Sequence, residues 1–251
     1  MSALWLLTKR AVRETARNPE ATFPLIFIPV FFMLVNAGQL GDKLKGEPFL
    51  HGQNYIAFQM PISLLFAVIG ITSGLAIIVE IETGYFDKLL VAPISRLAIL
   101  AGRLSADFFR NLVTGSIVIV IGFAFGMRVE SGPLGVVLLV LLGSFFGVAY
   151  GSTAVLIALR SRSAQTVNVT SYMFFPLLFL SPNLLPRSLM QGWLRVAARF
   201  NPVTYVIEGL RSLILDGWVA ERVLMCVVVI AATSFVLLGL SVRAMNQYGD
   251  L

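Results

Sequence analysis

Six runs of this chain carry neither a charged side chain nor a histidine for at least 17 residues: Ala21–Gly41, Gly52–Val79, Asn111–Met127, Ser131–Leu159, Ser163–Pro186 and Val223–Val242. A bilayer's hydrocarbon core is about 30 Å thick and takes about 20 mainly apolar helical residues to cross. The pattern predicts an all-α integral membrane protein, a single domain over residues 1–251 with six transmembrane helices. They fall at roughly Thr22–Leu40, Tyr55–Val79, Leu97–Met127, Pro133–Leu159, Ala164–Phe179 and Arg222–Arg243. The third begins before its charge-free run, because 17 helical residues rise only about 25 Å. Its first turns then carry Arg103, Asp107 and Arg110, and Asp107 can pair with Arg110 three positions on.

Ahead of the first span, Ala3–Asn18 has the spacing of an amphipathic helix. Lys9, Arg13 and Arg17 share one face, and Leu4, Leu7 and Ala11 share another, with Trp5 beside them and Pro19 ending the segment. A basic amphipathic helix with a tryptophan suits the membrane interface.

Composition agrees. Charged residues are 13% of the chain, against about 25% in an ordinary soluble domain. The net charge of +6 is the excess of Lys and Arg expected on the cytoplasmic side of a membrane protein, and nucleic acid is not an expected partner. With both termini cytoplasmic, 11 of the 19 Lys and Arg residues fall inside, led by the N-terminal cluster. Cys226 has no second cysteine to pair with, and His51 is the lone histidine.

The spans lack the means for chemistry. They contain no H-E-x-x-H, no G-x-S-x-G and no facing aspartates. Gly41 to Gly46 has the glycine spacing of a phosphate-binding loop, but Glu47 and Pro48 follow where Lys and Ser or Thr are needed. The polar residues inside the spans are uncharged and serve either hydrogen bonding between helices or the lining of a path for an amphipathic solute. The path candidates are Asn36, Gln59, Ser63, Asn168 and Ser171. Glycines four apart (Gly70 and Gly74, Gly122 and Gly126, Gly143, Gly147 and Gly151) allow close helix approach, within the bundle or at a seam between two chains.

The densest charge lies in the loop Glu80–Arg96, with Glu80, Glu82, Asp87, Lys88 and Arg96. It predicts a short helix over Thr83–Val91, ended by Pro93, with Tyr85, Phe86, Leu89 and Leu90 on its apolar side. That helix is either surface packing or a docking element for a soluble partner. Further on, Ser181–Trp218 is rich in Leu, Trp and Phe, with Glu208 and Arg211 spaced to pair.

The run Glu80-Ile-Glu-Thr-Gly84-Tyr-Phe-Asp-Lys88-Leu-Leu-Val-Ala-Pro93 resembles the first cytoplasmic loop of type-2 ATP-binding-cassette permeases, most closely the daunorubicin-resistance kind. Pro176, Pro182 and Pro186, then Asn201-Pro202-Val-Thr-Tyr205 and Arg211, resemble that family's C-terminal signature. The resemblance covers essentially the whole chain. It implies a permease subunit with no catalytic site, no cofactor and no metal of its own, moving an amphipathic drug or lipid-like substrate out of the cytoplasm. ATP and Mg would be bound by a separate cytoplasmic ATPase subunit, present in two copies. The other partners implied are a second permease chain, identical or paralogous, and the lipids of a bacterial cell membrane. It assigns ATPase coupling to Glu80, Glu82, Gly84, Asp87, Lys88, Pro93 and Arg96, with Lys9, Arg10 and Arg13 from the interfacial helix. It places Asn201, Pro202, Tyr205, Glu208 and Arg211 in short re-entrant helices between spans five and six. The alternatives are a polysaccharide or glycolipid exporter, or a membrane enzyme or scaffold independent of ATP.

Overall fold

The structure is a computed structural model that describes residues 19–69, 72–91 and 95–248. The predicted interfacial helix, with Lys9, Arg10 and Arg13, lies outside the described residues, as does Pro93. The described elements are all helical, in the order α1 (Pro19–Leu40), α2 (Tyr55–Val68), α3 (Thr72–Glu82), α4 (Tyr85–Val91), α5 (Arg96–Ala124), α6 (Gly132–Ser161), α7 (Ala164–Phe179), α8 (Gly192–Phe200), α9 (Pro202–Leu215) and α10 (Ala220–Tyr248). Five stretches are long and apolar enough to cross a membrane: Phe23–Leu40, Tyr55–Glu82, Arg96–Ala124, Gly132–Ser161 and Ala220–Tyr248. The fifth expected span, α7, has the predicted bounds but is only 16 residues long.

The expected unbroken second span is a correction. It divides into α2 and α3, with Ile69 in an extended conformation between them. Ile69 is β-branched, a residue type that holds a helix less well. A break at membrane depth is tolerated where protein covers it, and Val68 and Ile69 are buried. The Val68 carbonyl faces Gly147 of α6 so closely that a methyl group there would collide with it and with Asn111 of α5.

The same packing accounts for other glycines. A Cβ on Gly74 would lie 2.8 Å from the Ala154 carbonyl group, and one on Gly143 would press on Leu64. These glycines serve packing within one chain. Gly126 corrects the pattern: it lies beyond the end of α5 at φ 83°, in a left-handed turn.

α6 is the central post, packed against α10, α5, α3 and α7. Two apolar cores fill the bundle. The larger joins α2, α5, α6, α7 and α9 around Phe58, Leu64 and Phe174. The smaller joins α3, α4, α5, α6 and α10 around Phe86, Leu100 and Met245. At the end near the larger core, loops are tied together by side chains. Gln53 Nε2 donates to the Ile214 carbonyl (3.1 Å), Ser131 Oγ to the Leu213 carbonyl (2.7 Å) and Trp218 Nε1 to the Ser131 carbonyl (3.1 Å).

Gly147→Ala should lower the unfolding free energy of the detergent-solubilised chain by about 1–3 kcal/mol through overpacking. Gly239→Ala, where no atom lies within 4 Å of the added carbon, should leave it equal or slightly higher. Equal effects at the two positions would contradict the close helix approach.

Candidate functional site

The charged loop folds as a lever sealed to the bundle. α3 ends at Glu82, and Gly84 adopts φ 68° with no atom within 4 Å of a would-be Cβ. The glycine is therefore there for its backbone: a left-handed residue costs an L side chain about 1–2 kcal/mol. The turn shortens the predicted helix, which begins at Tyr85 instead of Thr83. Tyr85 is also corrected, because it faces outward at 49% exposure.

Phe86 is the anchor. It is fully buried in the smaller core, and its ring meets Tyr248 of α10 edge to face with centroids 5.1 Å apart. The Arg162 guanidinium, at the end of α6, stacks on the other side of this assembly, 4.3 Å from the Tyr248 centroid. Leu90 packs against the same core. The opposite side of the turn and α4 presents Glu82, Tyr85, Asp87, Lys88 and Val91 to the outside.

Behind this surface lies a charged network that sequence reasoning only partly found. Glu80 does not join the outward row; it pairs with Arg103 of α5, both side chains about four-fifths buried. Asp107, 4% exposed, lies 3.1 Å from Arg110, as the spacing predicted. Arg110 also donates to the Thr72 hydroxyl, and Ser73 Oγ donates to the Arg103 carbonyl at 3.3 Å. Among the described residues, Glu80 Oε2, Arg96 Nη1, Arg103 Nε and Asp107 Oδ2 are buried without a partner. The network ties α3 to α5 and retains unused hydrogen-bonding capacity beside the lever. Its signal in sequence was the presence of three charges in the first turns of a span, where charge is costly and normally functional.

Three of the five path candidates come together. Asn36 of α1 and Gln59 and Ser63 of α2 line a cavity of about 130 Å³ whose walls are otherwise mainly apolar, with Phe66, Phe175 and Leu178 prominent. Ser63 Oγ donates to the Pro29 carbonyl (3.2 Å), which fixes α2 on α1. Gln59 Nε2 donates to Tyr55 Oη (2.9 Å) and to the Asn183 carbonyl (3.2 Å). Asn183 Oδ1, also at this cavity, is a buried acceptor without a donor among the described residues. Asn168 lies away from this cavity, exposed on α7, where it donates to its own helix at Ala164. Ser171 lies on α7.

The C-terminal cluster is a helix-start device. Asn201 caps α9: Oδ1 accepts from the Val203 N–H (3.0 Å), and Nδ2 donates to the Leu177 carbonyl of α7. Pro202 takes the first helical position, where its missing N–H costs nothing. Tyr205 Oη donates to the Arg199 carbonyl (2.7 Å), closing the joint between α8 and α9. The spacing-based pairing of Glu208 with Arg211 does not occur. Glu208 turns to Arg187 (3.6 Å), while Arg211 donates to the carbonyls of Phe58 (3.1 Å) and Pro182 (2.9 Å).

A bundle of long apolar helices, with one short amphipathic helix clamped by its apolar face across four of them, has the build of a multi-pass membrane protein. The chain belongs to the ABC-2 type transporter family, whose profile matches residues 2–215. Among curated relatives, it is 26% identical over 216 residues to the daunorubicin resistance ABC transporter permease protein DrrB1 of Streptomyces coeruleorubidus, covering 85% of this chain and 74% of that one. It is 29% identical over 219 residues to the putative transport permease ycf38 of Cyanophora paradoxa, covering 84% and 73%. It is 24% identical over 213 residues to the probable doxorubicin resistance permease protein DrrC of Mycobacterium tuberculosis, covering 84% and 76%. As a permease of that family it is a multi-pass membrane protein working with an ATPase partner.

Phe86→Ala should destabilise the purified chain by about 3–5 kcal/mol and Tyr85→Ala by less than about 1 kcal/mol, read by denaturant unfolding in mixed micelles. Arg103→Gln, which strands the mostly buried Glu80 carboxylate, should cost about 3–5 kcal/mol, and adding Glu80→Gln should recover part of it. Additive losses in the double variant would contradict the pairing.

Proposed function

We propose that this chain is the permease half of a bacterial exporter that moves amphipathic drug-like or lipid-like molecules out of the cytoplasm. A separate ATPase, in two copies, binds ATP and Mg and supplies the work, and a second permease chain, identical or paralogous, completes the path. One observation carries this reading: the end of α3 and α4 turn Glu82, Asp87 and Lys88 outward, while Phe86 locks the inner face of α4 among α3, α5, α6 and α10. A partner that shifts α4 must shift the ends of four helices with it. ATP-loaded partners that prefer one position of α4 then shift the permease between inward- and outward-facing states.

In this reading α4 lies in the cytoplasm, as do both termini, and α7 is the fifth of six crossings. Two contacts support the crossing. α7 begins next to Arg162, which stacks at the α4 end, and its far end reaches the Asn201 cap at the other. Sixteen residues rise about 24 Å, which a locally thinned bilayer accommodates. α8 and α9 form the re-entrant pair. α8 turns Trp193, Val196 and Phe200 outward, and α9 is buried along nearly its whole length. Lys9, Arg10, Arg13 and Pro93 extend the coupling surface, and Gly84 sets its turn.

The cavity beside Asn36, Gln59 and Ser63 is the proposed foothold for substrate. Its volume of about 130 Å³ is close to that of an engineered apolar cavity of about 150 Å³ that admits benzene. It holds one ring or chain segment and must widen to pass a whole drug. Its apolar walls favour an amphiphile over a polysaccharide. The relatives named for daunorubicin and doxorubicin resistance point the same way.

With the cognate ATPase in proteoliposomes, the Glu82→Ala/Asp87→Ala variant should lose tenfold or more of its ATP-driven drug efflux at unchanged protein stability. Wild-type efflux from that variant would contradict the coupling role. Turnover by the purified chain alone would favour an ATP-independent enzyme.

A further inference from the structure

At the end of the bundle away from α4, a second cavity of about 310 Å³ opens between α9, the start of α10 and two loops. It is lined by three arginines (Arg187, Arg211 and Arg222), by His51, and by two carboxylates, Glu208 and Asp216. Asp216 is held from two sides, by His51 Nε2 at 2.7 Å and by Arg222. Glu208 has Arg187 as its partner. Arg211 has no carboxylate within 4 Å among the described residues. It is 7% exposed, and its guanidinium is held by the Phe58 and Pro182 carbonyls, with its carbon 3.6 Å from the centroid of the Phe58 ring.

The charge balance of the lining is therefore positive even with His51 neutral. Burial pushes the Glu208 carboxyl up, against the pull of Arg187, Arg211 and Arg222, so its negative charge is the weakly held one. Burial pulls Arg211 down to about 9, with Glu208 opposing, which leaves it cationic at neutral pH. Three guanidiniums reaching one space from separate elements present more forked donors than a two-oxygen carboxylate can use. They suit an anion with three or four acceptor oxygens. The cavity also carries Phe49, Phe58 and Leu215, an apolar wall for whatever the anion is attached to.

We propose that this cavity binds a phosphate-type oxyanion, through Arg187 and Arg222 at its rim and Arg211 at its floor. The site is independent of the transport reading, since it needs neither ATPase nor substrate.

The test uses the full-length chain, purified in an uncharged detergent without phosphate, and reads its melting temperature. The probes are inorganic phosphate, short-chain phosphatidylglycerol and short-chain diacylglycerol, with sodium chloride at matched ionic strength as a control. Saturable stabilisation by inorganic phosphate assigns a free-anion site. Stabilisation by phosphatidylglycerol alone assigns a lipid headgroup. In either case Arg187→Gln and Arg222→Gln, both at partly exposed positions, should raise the half-saturating concentration about tenfold or more. Both should melt near the wild-type temperature without ligand, so the result does not depend on whether an Arg211 variant folds. The proposal is overturned if neither phosphate probe stabilises the wild type. It is equally overturned if chloride or diacylglycerol stabilises as well, or if the two variants respond like the wild type.

Discussion

Phe86 sets what the rest of the molecule can do. A seven-residue helix has no stability of its own in water, and α4 exists because one aromatic ring is buried where four helices converge. The contact with Tyr248, backed by Arg162, extends the seal to the last turn of α10 and the end of α6. Gly84 permits the sharp exit from α3, and the outward placement of Glu82, Asp87 and Lys88 follows from the inward placement of Phe86. Phe86 and Leu90 face the bundle on one side of α4, and Asp87 and Lys88 face outward on the other.

The second constraint is the bilayer's intolerance of unpaired backbone. Two irregular points among the described residues are covered. At the end of α2, Val68 and Ile69 are buried, with the Val68 carbonyl facing Gly147, and the start of α9 is capped by Asn201, which also reaches back to α7. Arg211 satisfies carbonyls of Phe58 and Pro182 on two other segments. The C-terminal signature residues thus read as structural fasteners of a helix inserted part-way into the bundle. The charged network of Glu80, Arg103, Asp107 and Arg110 is different in kind: several of its buried atoms lack partners among the described residues. A half-satisfied polar network is costly in a static core. It fits a place where helices slide between two arrangements.

Much of this was legible in the chain itself. Charge-free runs located α1, α5, α6, α7 and α10, since the cost of burying charge in hydrocarbon is the strongest one-dimensional signal a protein carries. The spacing of Asp107 and Arg110 gave their contact. Gln59 and Ser63 stood out as uncharged polar residues inside a span, and both line the cavity. The failures share a cause: three-dimensional alternatives outcompeted local ones. Glu208 and Arg211 are spaced to pair, yet Arg187 and two carbonyls offered better partners. The Tyr55–Val79 run carries no charge, and its proline, Pro61, lies within α2 and does not mark the break, which depends on how closely α6 approaches. Tyr85 and Phe86 are adjacent aromatics, and only the packing of α10 decides which one turns inward.

The central claim is that the outer row of α4 is where the ATPase subunit bears on this chain. It is tested most directly by proximity. In a background where Cys226 is replaced by alanine, single cysteines at Asp87 and at Arg128, which lies at the opposite end of the bundle, would be treated with a short thiol-to-amine crosslinker in membranes containing the ATPase subunit. The account predicts a crosslinked permease–ATPase species from Asp87→Cys whose yield changes when ATP is added, and none from Arg128→Cys. A crosslink from Arg128→Cys, with none from Asp87→Cys, would contradict it.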